Sequence, residues 1–481
     1  MNSASALSEA KRKLLETYVR GNKTPGLPPL EAITSRHSDE PAPLSLSQEQ
    51  LLLREKSSAD IPPLYNECIT LRMSGPLDVH ILERSFSEII RRHEIWRTSY
   101  KTLNGQMVQI VHAPPERVEL PVIDLRGLPE ERQEFEAQQI IGEEVRKRFD
   151  LTNGPLLRAR LVTMGRFEHR LYLVAHLSIV DGVSVYRLFP AELAAIYSSY
   201  TSAYPSLLPR PTIQFGDYAS WQRQWLQGKE LDKQLAYWRK QLAGETPALR
   251  WPTDPRPPAK QTFRGTIRPF LLPESISKAV KALSHREAVT LFMTLLATSV
   301  ALLHCYTQQD EIAVGTPSPA GRKRSEVARL LGYFLNPVAL RFDLTGDPTF
   351  RDLLRQTQRL TLEAISNDDV PIEFLARELK PNHDLGHNPF FNVAISLQPA
   401  VPPLDLEWTV TSMDVEGSGS PWDLYIAFLD RPGQMMGRAQ YNPDVFKSET
   451  IFGMLRHYQR LLEIVCANSM RRLSELNFIL N

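Results

Sequence analysis

The chain has 481 residues but only three cysteines, Cys68, Cys305 and Cys466, far apart in sequence. That is neither a disulfide framework nor a metal-ligand set, and it fits a reducing, cytoplasmic compartment. An excess of one charge is also missing: 56 Lys and Arg face 55 Asp and Glu, a formal net charge of +1. No basic field points to nucleic acid or an anionic membrane, and no zinc-finger or RNA-motif spacing occurs. No stretch stays apolar for the ~18 residues a membrane-spanning helix needs. The opening MNSASALSEAKRKLL lacks the apolar run of a signal peptide.

What is present is a globular composition, 42% hydrophobic and 23% charged, in a chain long enough for two or three units. The 37 prolines mark many turns and linkers. A short amphipathic helix is expected over 7–21, with Ser8 as N-cap and Gly21 as stop. The segment from Thr24 to Pro43 carries five prolines and reads as an extended tether. Residues 1–43 are therefore read as a docking segment or a frayed tail, 44–214 as a first lobe and 215–481 as a second.

Within the lobes, helices are expected at Ser47–Arg54, Leu77–Arg92, Ile140–Phe149 and Val183–Ser199, the last kinked or split at Pro190. A hairpin is expected over Ser99–His112, turned at Asn104-Gly105, with strands at Leu156–Thr163 and His169–His176. In the second half, Thr290–Tyr306 reads as a helix buried all round. Strands at Glu311–Thr316, Pro337–Phe342, Phe391–Gln398, Trp408–Asp414, Asp423–Asp430 and Met435–Tyr441 mix with helices. Helix and strand do not alternate strictly, which indicates an α/β (α+β) fold in two lobes of similar size.

The stretch YLVAHLSIVDGVSVYRLF, Tyr172 to Phe189, delivers His176 at a strand end and Asp181-Gly182 at a tight turn into a helix. Alone, this is as well read as a buried histidine followed by an ordinary turn. Other pieces add to it: Arg92-His-Glu-Ile-Trp-Arg97-Thr98 at a helix end, Asp217-Tyr-Ala-Ser-Trp-Gln222, Gly315 to Arg322, Gly332-Tyr-Phe-Leu-Asn336, and Pro389 to Gln398.

In this order and at these separations the pieces resemble the condensation domains of nonribosomal peptide synthetases, from about Leu44 to the end. The family's His-His-x-x-x-Asp-Gly is matched by His176-Leu177-Ser178-Ile179-Val180-Asp181-Gly182. Its early Ser-x-Ala-Gln motif survives in degraded form from Ser45 through Gln48 to Leu52. The resemblance implies two chloramphenicol-acetyltransferase-like lobes forming a V with a central tunnel. Donor and acceptor thioesters would enter from opposite sides on the 4'-phosphopantetheine arms of upstream and downstream carrier domains, with no cofactor bound covalently and no metal. The C-terminal Arg472 to Asn481 resembles the family's link into an adenylation domain, so a piece of a larger synthetase is expected. By the same resemblance the catalytic positions are His176, Leu177, Asp181 and Gly182. Arg92 and Arg97 would be structural, with Arg97 pairing Asp181, and Ser178, Asn336, Gln398 and Asp423 would face the tunnel.

Leu177 stands where the family has the histidine thought to position or deprotonate the attacking amine. Neighbouring strand residues point to opposite faces, so His176 is no simple substitute. A general base gives ~10²–10⁴ in rate, whereas holding two tethered reactants in attack geometry supplies ~7–11 kcal/mol. Amide formation with a weakened motif is thus physically reasonable, with Ser178 as a candidate polar replacement. A non-catalytic domain that binds carriers or recruits a tailoring enzyme is the alternative. An ester-forming acyltransferase is a third reading, disfavoured because an alcohol needs the base more than an amine does.

Overall fold

The computed structural model describes residues 32–36, 40–56, 61–202, 208–244, 249–251, 262–380, 388–399, 401, 403–404, 406–412, 419–431 and 433–480. The expected helix over 7–21 and most of the tether lie outside the described residues. The first half runs β1 (Ala42–Pro43), α1 (Leu46–Lys56), β2 (Asn66–Ser74), α2 (Val79–Arg92), β3 (Thr98–Leu103), β4 (Gln106–Val111), β5 (Val122–Asp124), α3 (Glu130–Arg146), β6 (Leu157–Gly165), β7 (Glu168–His176) and α4 (Phe189–Ser202). The second half opens with α5 (Phe215–Trp225), α6 (Gly228–Gln241), β8 (Thr266–Leu272), α7 (Glu274–Arg286), α8 (Leu291–Thr307) and β9 (Glu311–Ser318). It continues with β10 (Asn336–Asp343), α9 (Phe350–Ile365), α10 (Ile372–Leu379), β11 (Val393–Leu397), β12 (Trp408–Ser412), β13 (Leu424–Asp430), β14 (Met435–Tyr441) and α11 (Ser448–Ala467).

Periodicity places most of these elements. In α2, Leu82, Phe86, Ile89 and Ile90 are all buried, and Asp78 caps the helix by accepting from the Ile81 N–H at 3.0 Å. Helix α8 is apolar on every side and sits in the centre of the second core, capped by Thr290. The β3–β4 hairpin turns where Asn104 and Gly105 take φ of 51° and 80°, the left-handed region that such a turn requires. Pro190 has no N–H to donate, and the chain before it winds as a π-helical turn over Ser184–Leu188 before α4 proceeds. Helix α3 and strand β2 are among the elements that differ from expectation. Helix α3 starts at Glu130 rather than Ile140, because its first turns are polar and exposed and carry no apolar period. Strand β2, with Ile69, Leu71 and Met73 alternating into the core, was not expected, yet it is the direct neighbour of β7.

A five-stranded sheet has the order β12-β2-β7-β6-β5, and a six-stranded sheet the order β10-β9-β11-β13-β14-β8. Each is mixed: β5 runs parallel to β6, and β11 runs parallel to both β9 and β13. The two halves interlock. Strand β12 leaves the second half to pair antiparallel with β2, Trp408 opposite Met73. The boundary expected between 214 and 215 falls inside the first core, which takes in Phe215, Tyr218, Leu331, Phe334, Trp408 and Val410. Among the described residues no single helix is long and apolar enough to cross a membrane.

Candidate active site

Strand β7 sends Leu171, Leu173 and Ala175 into the first core and Tyr172 and Val174 to the other face, on which His176 falls by alternation. His176 is 1% exposed. Its Nδ1 accepts from the Ser178 N–H at 3.3 Å and lies 2.7 Å from Ser178 Oγ. The ring meets Tyr65 and Phe149 edge-on, at centroid distances of 6.4 and 6.1 Å. With Nδ1 accepting, the hydrogen resides on Nε2, which is buried without a hydrogen-bond partner among the described residues. Burial pushes the imidazole down to about 3, because the charged form is denied water. Such a ring is neutral at physiological pH and its lone pair is already engaged, so it takes no proton from an amine.

The chain then makes a 3₁₀ turn over Leu177–Ile179. Leu177 donates its N–H to the Tyr65 carbonyl at 2.7 Å and packs its half-buried side chain against the first core. The turn directs Ser178 inward. Its hydroxyl is engaged by His176, and its carbonyl accepts from Gln48 Nε2 at 2.9 Å and the Tyr100 hydroxyl at 3.2 Å. Ser178 was expected to face the tunnel. It is instead fully buried, with its hydroxyl and carbonyl engaged by the protein.

Asp181 is the most heavily bonded group in the motif. Oδ1 accepts from the Ser184 N–H at 2.7 Å and from Arg322 Nη2 at 2.8 Å, and Oδ2 accepts from Arg322 Nε at 2.8 Å and the Phe334 N–H at 3.3 Å. Arg322 also donates to Ser184 Oγ at 2.9 Å and to the Leu330 carbonyl at 3.1 Å, and its guanidinium lies 4.5 Å from the Phe334 ring centroid. The bidentate pair ties the motif turn in the first half to the 320–334 segment of the second. The expected partner was Arg97. Arg97 is instead held at the His112 carbonyl and lies 3.8 Å from Glu94, at the far end of the 3₁₀ turn that follows α2.

Gly182 follows, and its lack of a side chain has a specific use. A Cβ there would stand 2.9 Å from Gln398 Oε1 and 3.5 Å from Pro399 Cδ. The motif turn therefore abuts the end of β11, where Gln398 donates to the Tyr425 hydroxyl at 3.3 Å. Of the other expected residues, Arg92 donates to the Pro209 carbonyl at 2.6 Å and lies 3.4 Å from Glu192, which also meets His93 at 2.7 Å. Asn336 is buried, with Nδ2 donating to the Asp368 and Val370 carbonyls at 2.7 Å each and Oδ1 accepting from the Ile372 N–H. It fastens the loop before α10, with both amide hydrogens and the side-chain oxygen engaged there. Half-buried Asp423 bridges β11 and β14 by its backbone, to Asn392 and Asn442, each at 2.9 Å. The structure thus joins Ser178 to His176 and sets Gly182 against Gln398, while Arg92, Arg97 and Asn336 lie in separate networks. Arg322 and Gln48 were not among the residues expected at the site. Arg322 is the first of three successive cations, Arg322-Lys323-Arg324, and nothing in that run singled it out as the partner of Asp181.

The family model described as "Condensation domain" matches residues 38–481. A linear gramicidin synthase from Brevibacillus parabrevis is 38% identical over 449 residues, covering 92% of this chain and 6% of that protein. Phosphinothricin tripeptide synthetase PhsC of Streptomyces viridochromogenes is 32% identical, covering 93% of the chain and 41% of its own length. The chain thus spans a minor part of these synthetases. The first condensation domain of the calcium-dependent antibiotic synthetase superposes with a TM-score of 0.80 at 19% identity, over 91% of this chain and 99% of that one. The X-domain from teicoplanin biosynthesis in its complex with OxyB gives a TM-score of 0.77 at 25% identity, over 94% and 99%.

Proposed function

The chain belongs to the condensation-domain family, and from that premise we propose that it joins a carrier-bound acyl or peptidyl thioester to a carrier-bound aminoacyl acceptor, forming an amide without the usual base. The observation that supports this reading is the motif turn itself. Asp181 is held by four hydrogen bonds, and Gly182 stays bare against Gln398. A fold kept only for docking has no need of a turn built to this tolerance. The amine nitrogen of the acceptor attacks the donor carbonyl carbon. The C–N bond forms, the C–S bond breaks, and the amine proton leaves to solvent while the pantetheine thiol departs. The protein contributes position: two tethered ends held in attack geometry supply ~7–11 kcal/mol. A base at position 177 would add ~10²–10⁴ in rate. Upstream and downstream carriers and an adjacent adenylation domain are the partners that the synthetase relatives support.

A second reading is a domain that binds carriers or recruits a tailoring enzyme. The likeness to an X-domain in complex with OxyB favours it, as does an apolar residue at 177. The test loads an acyl thioester on one carrier and an aminoacyl thioester on another, over a panel of each, and weighs the acceptor carrier by mass spectrometry. A mass gain equal to the donor acyl group supports condensation. No gain while both carriers bind contradicts it and favours recruitment.

A further inference from the structure

Next to the motif turn lies a charged group that the proposed reaction does not use. Arg438 sits in the middle of β14, 8% exposed. Strand alternation puts Met435, Ala439 and Tyr441 into the second core and turns Arg438 to the other face, beside its cross-strand neighbour Ala427. That face carries Tyr425, whose hydroxyl is 2.7 Å from Ser396 Oγ and accepts from Gln398, the residue that abuts Gly182. Across from it, in the first half of the chain, Tyr186 donates its hydroxyl to Glu67 Oε1 at 3.1 Å. Tyr186, Glu67, Tyr425 and the Cys68 thiol lie within electrostatic range of Arg438. None of them bonds its Nε or Nη1, which are both buried without a hydrogen-bond partner among the described residues.

A guanidinium withdrawn from water with donors unmade is costly, and such charges are ordinarily paired. Glu67 acts on it at a distance and gives its Oε1 to Tyr186 instead. The unfilled requirement is an acceptor bearing negative charge, which would satisfy the N–H groups and neutralise the cation together. A neutral carbonyl would do only the first. We infer that Arg438, on the polar face shared with Tyr425 and Gln398, is a specificity-determining residue that takes a carboxylate carried by one of the two thioester substrates. This rests on the thioester-binding part of the proposed function and names the substrate class.

The experiment reads binding rather than turnover, on the whole chain. Two matched sets of pantetheine thioesters serve as probes: succinyl, succinamoyl and pentanoyl as donors, and aspartyl, asparaginyl and leucyl as acceptors. In one of the two sets the carboxylate probe should bind at least ~10-fold more tightly than its amide, as a charge-assisted pair exceeds a neutral one. Arg438→Gln should abolish that ratio, and Arg438→Lys should retain part of it. Because two of its donors are unmatched among the described residues, Arg438→Gln should melt no lower than wild type. The inference is overturned if neither set prefers the carboxylate, if the preference survives Arg438→Gln, or if that variant is markedly destabilised, which would make the residue structural. Binding of carboxylate probes without any amide product would sink the amide-forming reading and leave this one standing. Equal binding of all probes would do the reverse.

Discussion

Replacing Asp181 by alanine removes one end of a cross-chain bond whose cost follows from the structure. The Asp181 and Arg322 side chains are 0% and 7% exposed, so neither regains water when the other is lost. Truncation leaves a guanidinium uncompensated in the interior, which costs on the order of 3–5 kcal/mol. It also removes the acceptor for the Ser184 N–H at the helix start, worth roughly 1 kcal/mol as a lost cap. The total, ~4–6 kcal/mol, corresponds to a fall in melting temperature on the order of 10 °C for a large domain. Arg322→Met alone should also be strongly destabilising, since it strands the carboxylate. The double variant should recover part of the loss, because no lone charge remains. Arg97→Met, by contrast, should cost far less, as its contacts lie elsewhere. The assay is a four-member urea cycle followed by tryptophan fluorescence. An Asp181→Ala variant as stable as wild type, or strictly additive effects of the two substitutions, would refute the reasoning.

Two further outcomes follow. The His176 imidazole is held near 3 in the folded chain against 6.5 when free, so its stabilising share is complete above 6.5 and is lost as pH falls towards 3. In that window it contributes a slope of ~1.4 kcal/mol per pH unit. His176→Asn should make the acid-side dependence of unfolding free energy shallower by about one proton, and identical slopes between pH ~4 and ~6 would contradict a buried neutral ring. Gly182→Ala should displace the flexible end of Gln398 and lower amide formation several-fold with a stability change of no more than ~1 kcal/mol, since only a side-chain tip must move. Adding Gln398→Ala should restore the rate. A fully active Gly182→Ala enzyme would show that this contact does not border the reacting atoms.

What was legible in the sequence was local. The stripe of Leu82, Phe86, Ile89 and Ile90 marked α2, Asn104-Gly105 marked the hairpin, and a stretch rich in apolar residues and without a charge marked α8, because each is written within a few residues of itself. The partner of Asp181 was not legible. Arg322 lies 141 residues away, and nothing in the spacing separates it from Arg97 as a counter-ion. Strand β2 escaped notice although its alternation is regular, for its polar members are spent on other elements rather than on solvent: Asn66 donates to the Val145 and Lys147 carbonyls and Glu67 accepts from Tyr186. Ser178 was misplaced for a related reason. Its direction is not written in the motif: the strand ends at His176, and the 3₁₀ turn that follows brings the Ser178 hydroxyl onto Nδ1. Asn336 matched a motif by letter, and only its three bonds to the loop before α10 reveal how it is spent.

The central claim, that position rather than a base drives the reaction, meets its most direct test in the pH dependence of single-turnover amide formation by wild type and Leu177→His. The wild-type rate should be measurable and should rise with pH through the titration of the acceptor's own α-amine, since the protein removes no proton. Leu177→His should be faster, by up to ~10²–10⁴, with a second inflection in the imidazole range near ~6.5. No product from either protein across the substrate panel, with both carriers bound, would contradict the account.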